Sequence, residues 1–149
     1  MKRDRKFADE VISEIPTVVQ PSLNDALKYI ASLGNNGSQN LQIHRCFIIG
    51  GARVYEEALQ LTPSVKDGLN AQAERVLLTR ILSPDFPDCD VFLPEFQKTG
   101  EAPDNNGWIR RAHQDLQEWV GWEIPEGEQE EKGIRYEFQM WTKSESTCA

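Results

Sequence analysis

Cysteine and histidine are scarce in this chain, and their scarcity narrows its chemistry. Three cysteines among 149 residues, Cys46, Cys89 and Cys148, are odd in number and widely spaced. That pattern fits reduced thiols rather than a disulfide framework. With only His44 and His113 beside them, no metal-ligand spacing forms, and a bound metal is not expected. No apolar run approaches bilayer length, so membrane spanning is excluded from the reading. The amino-terminal MKRDRKFADEVISEI has basic residues without an apolar segment after them, so it is not read as a secretory signal, and a cytoplasmic protein is expected. Basic residues are also outnumbered, 16 Lys and Arg against 24 Asp and Glu for a net charge of -8. General nucleic-acid binding needs a basic footprint and is not expected. A small anion remains accessible, because oriented N–H groups and one arginine can reverse the field locally.

What remains is the composition of one ordinary domain. PSLNDALKYIASLG, from Pro21, places Ser22 and Asp25 at capping-box spacing, with Ala26, Leu27, Ile30 and Leu33 as an apolar stripe. A helix is predicted over about Leu23 to Leu33, ended by Gly34. GNNGSQN reads as a loop, and IHRCFIIG, Ile43 to Gly50, as a strand covered on both faces. A helix follows through Leu59. Glu74 to Leu82, ERVLLTRIL, is the next strand, with Leu77, Thr79 and Ile81 on one face and Val76, Leu78 and Arg80 on the other. SPDFPDCD is a loop, closed by LPEF.

WIRRAHQDLQEWVGW contains a helix-like DLQEW, but its tryptophans and the hairpin signals after it favour a strand. The acidic stretch from Glu123 to Gly133 is read as a solvated connection. IRYEFQMWTK alternates as a strand, with Ile134, Tyr136, Phe138 and Met140 on one face. SESTCA is a tail. The order of elements predicts an α/β fold with a mixed sheet.

Gly50-Gly51, between a strand and a helix, admits two readings. Glycine makes a tight turn cheaply, and this is the commoner reason for such a pair. Missing side chains also let a ligand approach the backbone while N–H groups at the helix start face an anion such as a pyrophosphate. The pair lacks GxGxxG spacing, so a standard Rossmann turn is not indicated. Thr79 is expected to be buried and to need a hydrogen-bond partner. Tyr55 either packs the helix or edges a pocket beside the glycines.

IIGGARVYEEAL, then ERVLLTRI, CDVFLPEF and GIRYEFQMWTK, in this order between about Val18 and Lys143, resemble the carboxy-terminal half of a dihydrofolate reductase, most like the fungal enzymes. The resemblance implies that family's mixed β-sheet with flanking helices, in an incomplete form. It gives residues 17–143 to the domain, 1–16 to an unassigned amino-terminal segment and 144–149 to a tail. It further implies a cis peptide between Gly50 and Gly51 against NADPH. Ala52, Arg53 and Val54 would open the helix whose N–H groups hold the pyrophosphate. The Ile49 carbonyl would accept from the pterin, and Tyr55 would lie near pterin and nicotinamide. Thr79 would bond the pterin-anchoring carboxylate, and Asp90 would steady the lid indirectly.

The implied reaction is NADPH-dependent reduction of dihydrofolate to tetrahydrofolate. The implied protein is a monomer when complete, and aggregation-prone as a fragment. The family's first core strand, lid, substrate carboxylate and phosphate segment are not found upstream of Ser22. None of Asp4, Asp9, Glu10 and Glu14 sits in the family's pattern, so no catalytic residue is assigned. Without the carboxylate a charge-assisted bond of roughly 1.5–3 kcal/mol is lost. The chain is therefore expected to be a partial product, inactive alone. Two other readings stay open. A pyrimidine reductase of riboflavin synthesis shares the strand–GG–helix element, although YEFQMW and LLTRI favour the folate enzyme. A non-catalytic interaction module would keep the surface of the fold and lose its pocket.

Overall fold

A computed structural model of the chain describes residues 17–35, 43–63, 70–96 and 107–143. The chain divides into two compact units, Met1–Ile48 with Thr62–Ala71, and Ile49–Leu61 with Gln72–Ala149.

In the first unit, helix α1 spans Leu23–Asn35. Its start is the capping box expected from sequence. The Asp25 N–H donates to Ser22 Oγ at 3.1 Å, and the Ser22 hydroxyl donates to Asp25 Oδ2 at 2.6 Å. Leu23, Ala26, Leu27, Ile30 and Leu33 form the half-buried stripe, which is the period-3.6 pattern acting as predicted. Gly34 does not end the helix, because Asn35 still belongs to it. A glycine costs about 1 kcal/mol inside a helix but does not forbid one. The loop expected after it falls largely outside the described residues, as do the unassigned amino-terminal segment and the SESTCA tail.

Residues 43–50 form no strand. Apolar β-branched residues make a strand only where another backbone supplies a ladder, and none of the described residues is laddered with this stretch. Ile43 and Phe47 are exposed rather than covered on both faces.

In the second unit, helix α2 spans Ala52–Leu59, strand β1 Arg75–Ser83 and strand β2 Trp108–Arg110. Helix α3 spans His113–Val120, strand β3 Glu128–Glu131 and strand β4 Ile134–Lys143. The α/β class is as expected. β4 is central, paired antiparallel with β1 on one side and with β2 and β3 on the other. Every ladder among the described residues is antiparallel.

Two predictions in this region fail for local reasons. DLQEW is helical, within α3, and only Trp108–Arg110 of the preceding stretch is strand. The helix buries Leu116 and ends on Gly121, whose φ of 84° and N–H bond to Gln117 O at 2.9 Å make a left-handed cap. Tryptophan favours strands only as a context-dependent tendency, which this local cap overrides. The acidic connection also contains β3. Lys132 and Gly133, at φ 51° and 77°, form the two-residue turn with both central residues at positive φ that suits a hairpin. Glu128 is then held by Arg135 at 2.7 Å.

The register sorts the sheet into two faces. Leu77, Thr79 and Ile81 lie opposite Met140, Phe138 and Tyr136, while Val76, Leu78 and Arg80 lie opposite Trp141, Gln139 and Glu137. α3 sits at one end of the first face, where Arg111 Nε donates to Thr142 Oγ1 at 2.7 Å and the Arg75 guanidinium lies 5.4 Å from the Trp119 ring centroid. On the second face Phe96 packs edge-on against Trp108 and Trp141, with centroids 5.7 and 5.8 Å away. Met140, Leu116 and Phe96 are buried as a result, and β4 is the most covered strand.

Candidate functional site

The loop before α2 is held by its own backbone. Gly51 is the N-cap residue, with extended backbone and no side-chain cap on the helix. The Val54 and Tyr55 N–H groups both donate to Gly51 O, at 2.9 and 3.0 Å. Earlier N–H groups of a helix have no acceptor within it, so Ala52 and Arg53 present the free donors. The Val54 N–H is engaged in the first tight turn of the helix.

Gly50 has φ 114° and is joined to Gly51 by a cis peptide. The cis form is the one the resemblance implies. A Cβ on Gly50 would lie 3.5 Å from the Tyr55 hydroxyl oxygen, whereas a Cβ on Gly51 would meet nothing within 4 Å. Tyr55, one turn into α2, thus closes one side of the glycine pair and leaves the other open. The Ile49 side chain is 89% exposed beside them. Arg53 points to solvent and pairs with Glu57 at 3.2 Å in an i,i+4 arrangement, a contact of about 0.3–0.5 kcal/mol. The structure therefore groups Ile49, Gly50, Gly51, Ala52, Arg53 and Tyr55 in one short segment. An uncapped helix start beside an open glycine backbone is a chemically suitable cradle for an anionic ligand.

Thr79 is not part of that grouping. It lies mid-strand in β1 opposite Phe138, and no close approach of β1 to α2 occurs among the described residues. It is exposed, not buried as expected. α3 covers only the Met140 end of that sheet face, and Leu77 and Ile81 on either side of Thr79 are exposed as well. Asp90 is exposed in the irregular stretch after β1. Cys46 and Cys89 are free thiols, and Cys148 falls outside the described residues. No metal-binding cluster occurs among the described residues. No helix there is long and apolar enough to cross a membrane.

Sequence reasoning passed over a polar network on the second sheet face. Arg110 donates to Glu137 Oε2 at 2.9 Å, Gln139 donates to Glu137 Oε1, and Trp141 Nε1 donates to Gln139 Oε1 at 2.8 Å. Burial pushes the Glu137 pKa up, but the bonds from Gln139 and Arg110 and the charges of Arg110 and Arg80 outweigh it, leaving the pKa below its ordinary value. The signal was present in the polar alternate positions of β4, Arg135, Glu137 and Gln139. Their cross-strand partners were not legible. A cavity of about 270 Å³ opens beside this network, lined by Arg110, Arg111, His113, Leu116, Glu126 and Glu137 among others. None of the site residues expected from sequence lines it.

No protein-family profile matches the chain. Curated relatives do. Over 109 residues it is 37% identical to a dihydrofolate reductase of Cryptococcus neoformans, covering 65% of this chain and 45% of that one. Over 123 residues it is 35% identical to the Pneumocystis carinii dihydrofolate reductase, covering 82% and 52%. A viral dihydrofolate reductase of Saimiriine herpesvirus 2 is 32% identical over 128 residues, covering 85% and 46%. The chain thus spans about half the length of the curated relatives it matches.

Proposed function

Since this chain belongs to the dihydrofolate reductase family, we propose that it carries the cofactor-facing part of an oxidoreductase site that reduces dihydrofolate with NADPH. The observation that supports this most is the uncapped start of α2 beside the open backbone of Gly51. In this reading the Ala52 and Arg53 N–H groups receive the pyrophosphate. Arg53 exchanges its weak pair with Glu57 for a phosphate oxygen, and Tyr55 braces Gly50 while its ring edges the nicotinamide and pterin. The Ile49 carbonyl accepts from the pterin, and Thr79 serves the carboxylate that anchors it. When bound, the nicotinamide supplies a hydride from C4 to C6 of the substrate, balanced by a proton at N5. The protein's contribution is orientation and a favourable field.

No residue of these 149 is assigned as the substrate carboxylate, so binding and turnover separate in this proposal. Residues 17–143 act as the family domain, a soluble cytoplasmic protein with a small-molecule substrate. Titrating NADPH into the purified chain is expected to quench tryptophan fluorescence saturably, with no dihydrofolate-dependent loss of absorbance at the reduced-nicotinamide band. A flat titration would overturn the cofactor assignment and favour the interaction module. Dihydrofolate-dependent NADPH oxidation would overturn the separation of binding from turnover.

A further inference from the structure

The cavity of about 270 Å³ beside the Arg110–Glu137 pair shares no lining residue with the 49–55 segment. It lies at a gap in the sheet. β2 and β3 both pair with β4 on the side away from β1, β2 opposite residues 141–143 and β3 opposite residues 134–137, so neither ladder takes in Phe138. Between β2 and β3 the chain leaves the sheet edge to form α3 and returns through Glu126 and Gly127. Arg111, Leu116, Glu126 and Phe138 therefore line one hollow.

The charges on its walls are not all paired. Arg110 donates to Glu137 at 2.9 Å, and those two satisfy each other. Arg111 and Glu126 remain. Neither enters an ion pair among the described residues, whether with the other or with a third group. Arg111 is nonetheless held in place, because its Nε donates to Thr142 Oγ1 at 2.7 Å. That bond leaves its two terminal nitrogens as the fork that takes a carboxylate. The backbone that carries Glu126 is held too, since Gln129 Nε2 donates to the Glu126 carbonyl at 3.0 Å.

We propose that this cavity binds a free apolar α-amino acid, with its carboxylate on the Arg111 fork, its ammonium on Glu126 and its side chain against Leu116 and Phe138. A fixed cation and a carboxylate that face one hollow without meeting match a ligand whose own two charges are separated. A plain anion would be opposed by Glu126, and a plain cation by Arg111. Size agrees with this choice. At ~30 Å³ per water the cavity holds about nine waters, and leucine has about that many non-hydrogen atoms. Leu116 is buried and Phe138 half-buried, so the apolar wall is already packed before a ligand arrives. None of these residues belongs to the 49–55 segment, so failure of the proposed activity leaves the assignment standing.

Titration of the full chain with L-leucine into the millimolar range, followed by amide NMR at constant ionic strength, tests it. Saturable shifts are expected at the Arg111, His113, Glu126 and Gly127 amides, with the β1 amides unmoved. N-acetyl-leucine lacks the ammonium and leucinamide lacks the carboxylate. Each is expected to bind at least about tenfold more weakly than leucine. Glu126→Gln alters an exposed side chain, so the fold is not at stake, and this variant should bind leucine and N-acetyl-leucine equally weakly. Absence of saturable shifts with leucine, or shifts centred away from the cavity, would overturn the site. Binding of either analogue as tight as leucine, or an unchanged preference for leucine in Glu126→Gln, would overturn the two-charge recognition.

Discussion

Gly50 and Gly51 are adjacent, yet their side-chain vacancies have different consequences. At φ 114° Gly50 occupies backbone space that L residues avoid, although a Cβ there would meet Tyr55 only at ordinary contact distance, 3.5 Å. Gly50→Ala is expected to destabilise the turn by about 1–3 kcal/mol, read as faster exchange of the Val54 and Tyr55 amides that bond to Gly51 O. Gly51 has φ -83° and open space around it. Gly51→Ala should leave those amides as protected as before or slightly more so, while weakening NADPH about tenfold, or ~1.4 kcal/mol, by filling the ligand's approach. Equal NADPH affinity in Gly51→Ala would remove the ligand from that face. Glu137 offers a second prediction. Its pKa is lowered in the folded chain, so its stabilising contribution is present above the unfolded carboxylate pKa, about 4.3, and is lost as pH falls through the folded value. Glu137→Gln should therefore show a shallower loss of stability on acidification in denaturant titrations, with Arg110 losing its partner at every pH.

Helix starts and stops were legible where short-range chemistry fixes them. Ser22 with Asp25, and the stripe from Ala26 to Leu33, gave α1 within two residues, because capping and period depend only on near neighbours. Replacing that cap tests its weight. Ser22→Ala is expected to cost about 1 kcal/mol, seen as faster exchange of the first-turn amides of α1 with the sheet's amides unchanged. β1 and β4 were legible because alternation over nine and ten residues leaves little freedom in face. Residues 43–50 were not, since a strand there needs a ladder that local sequence does not contain. α3 was misread for the opposite reason. Its Gly121 stop was local and visible, but the tryptophans around it were given more weight. Trp108 and Trp141 are half-buried against Phe96, which lies outside WIRRAHQDLQEWVGW.

The candidate site was legible in sequence only where its members are neighbours along the chain. Ile49 to Tyr55 come together because one turn and one helix hold them, whereas Thr79 stands on a different element whose covering depends on the rest of the molecule. The same dependence governs stability. Among the described residues the buried apolar side chains are Ala58, Phe96, Leu116 and Met140, and no large side chain is fully buried. Met140 lies on central β4, on the face that α3 covers, with Leu77 opposite. Removing its side chain leaves a void that a helix and a strand would have to collapse to fill. Met140→Ala is expected to cost about 2–5 kcal/mol, a large share of the 5–15 kcal/mol typical of a whole domain. Ile109, on the same face but 47% exposed, should lose less than about 1 kcal/mol on replacement by alanine, because most of its surface is already in water. Urea denaturation followed by tryptophan fluorescence compares the two. If Ile109→Ala proved as costly as Met140→Ala, the apolar face of the sheet would be covered in solution, and stability would come from a second chain or from residues beyond those described.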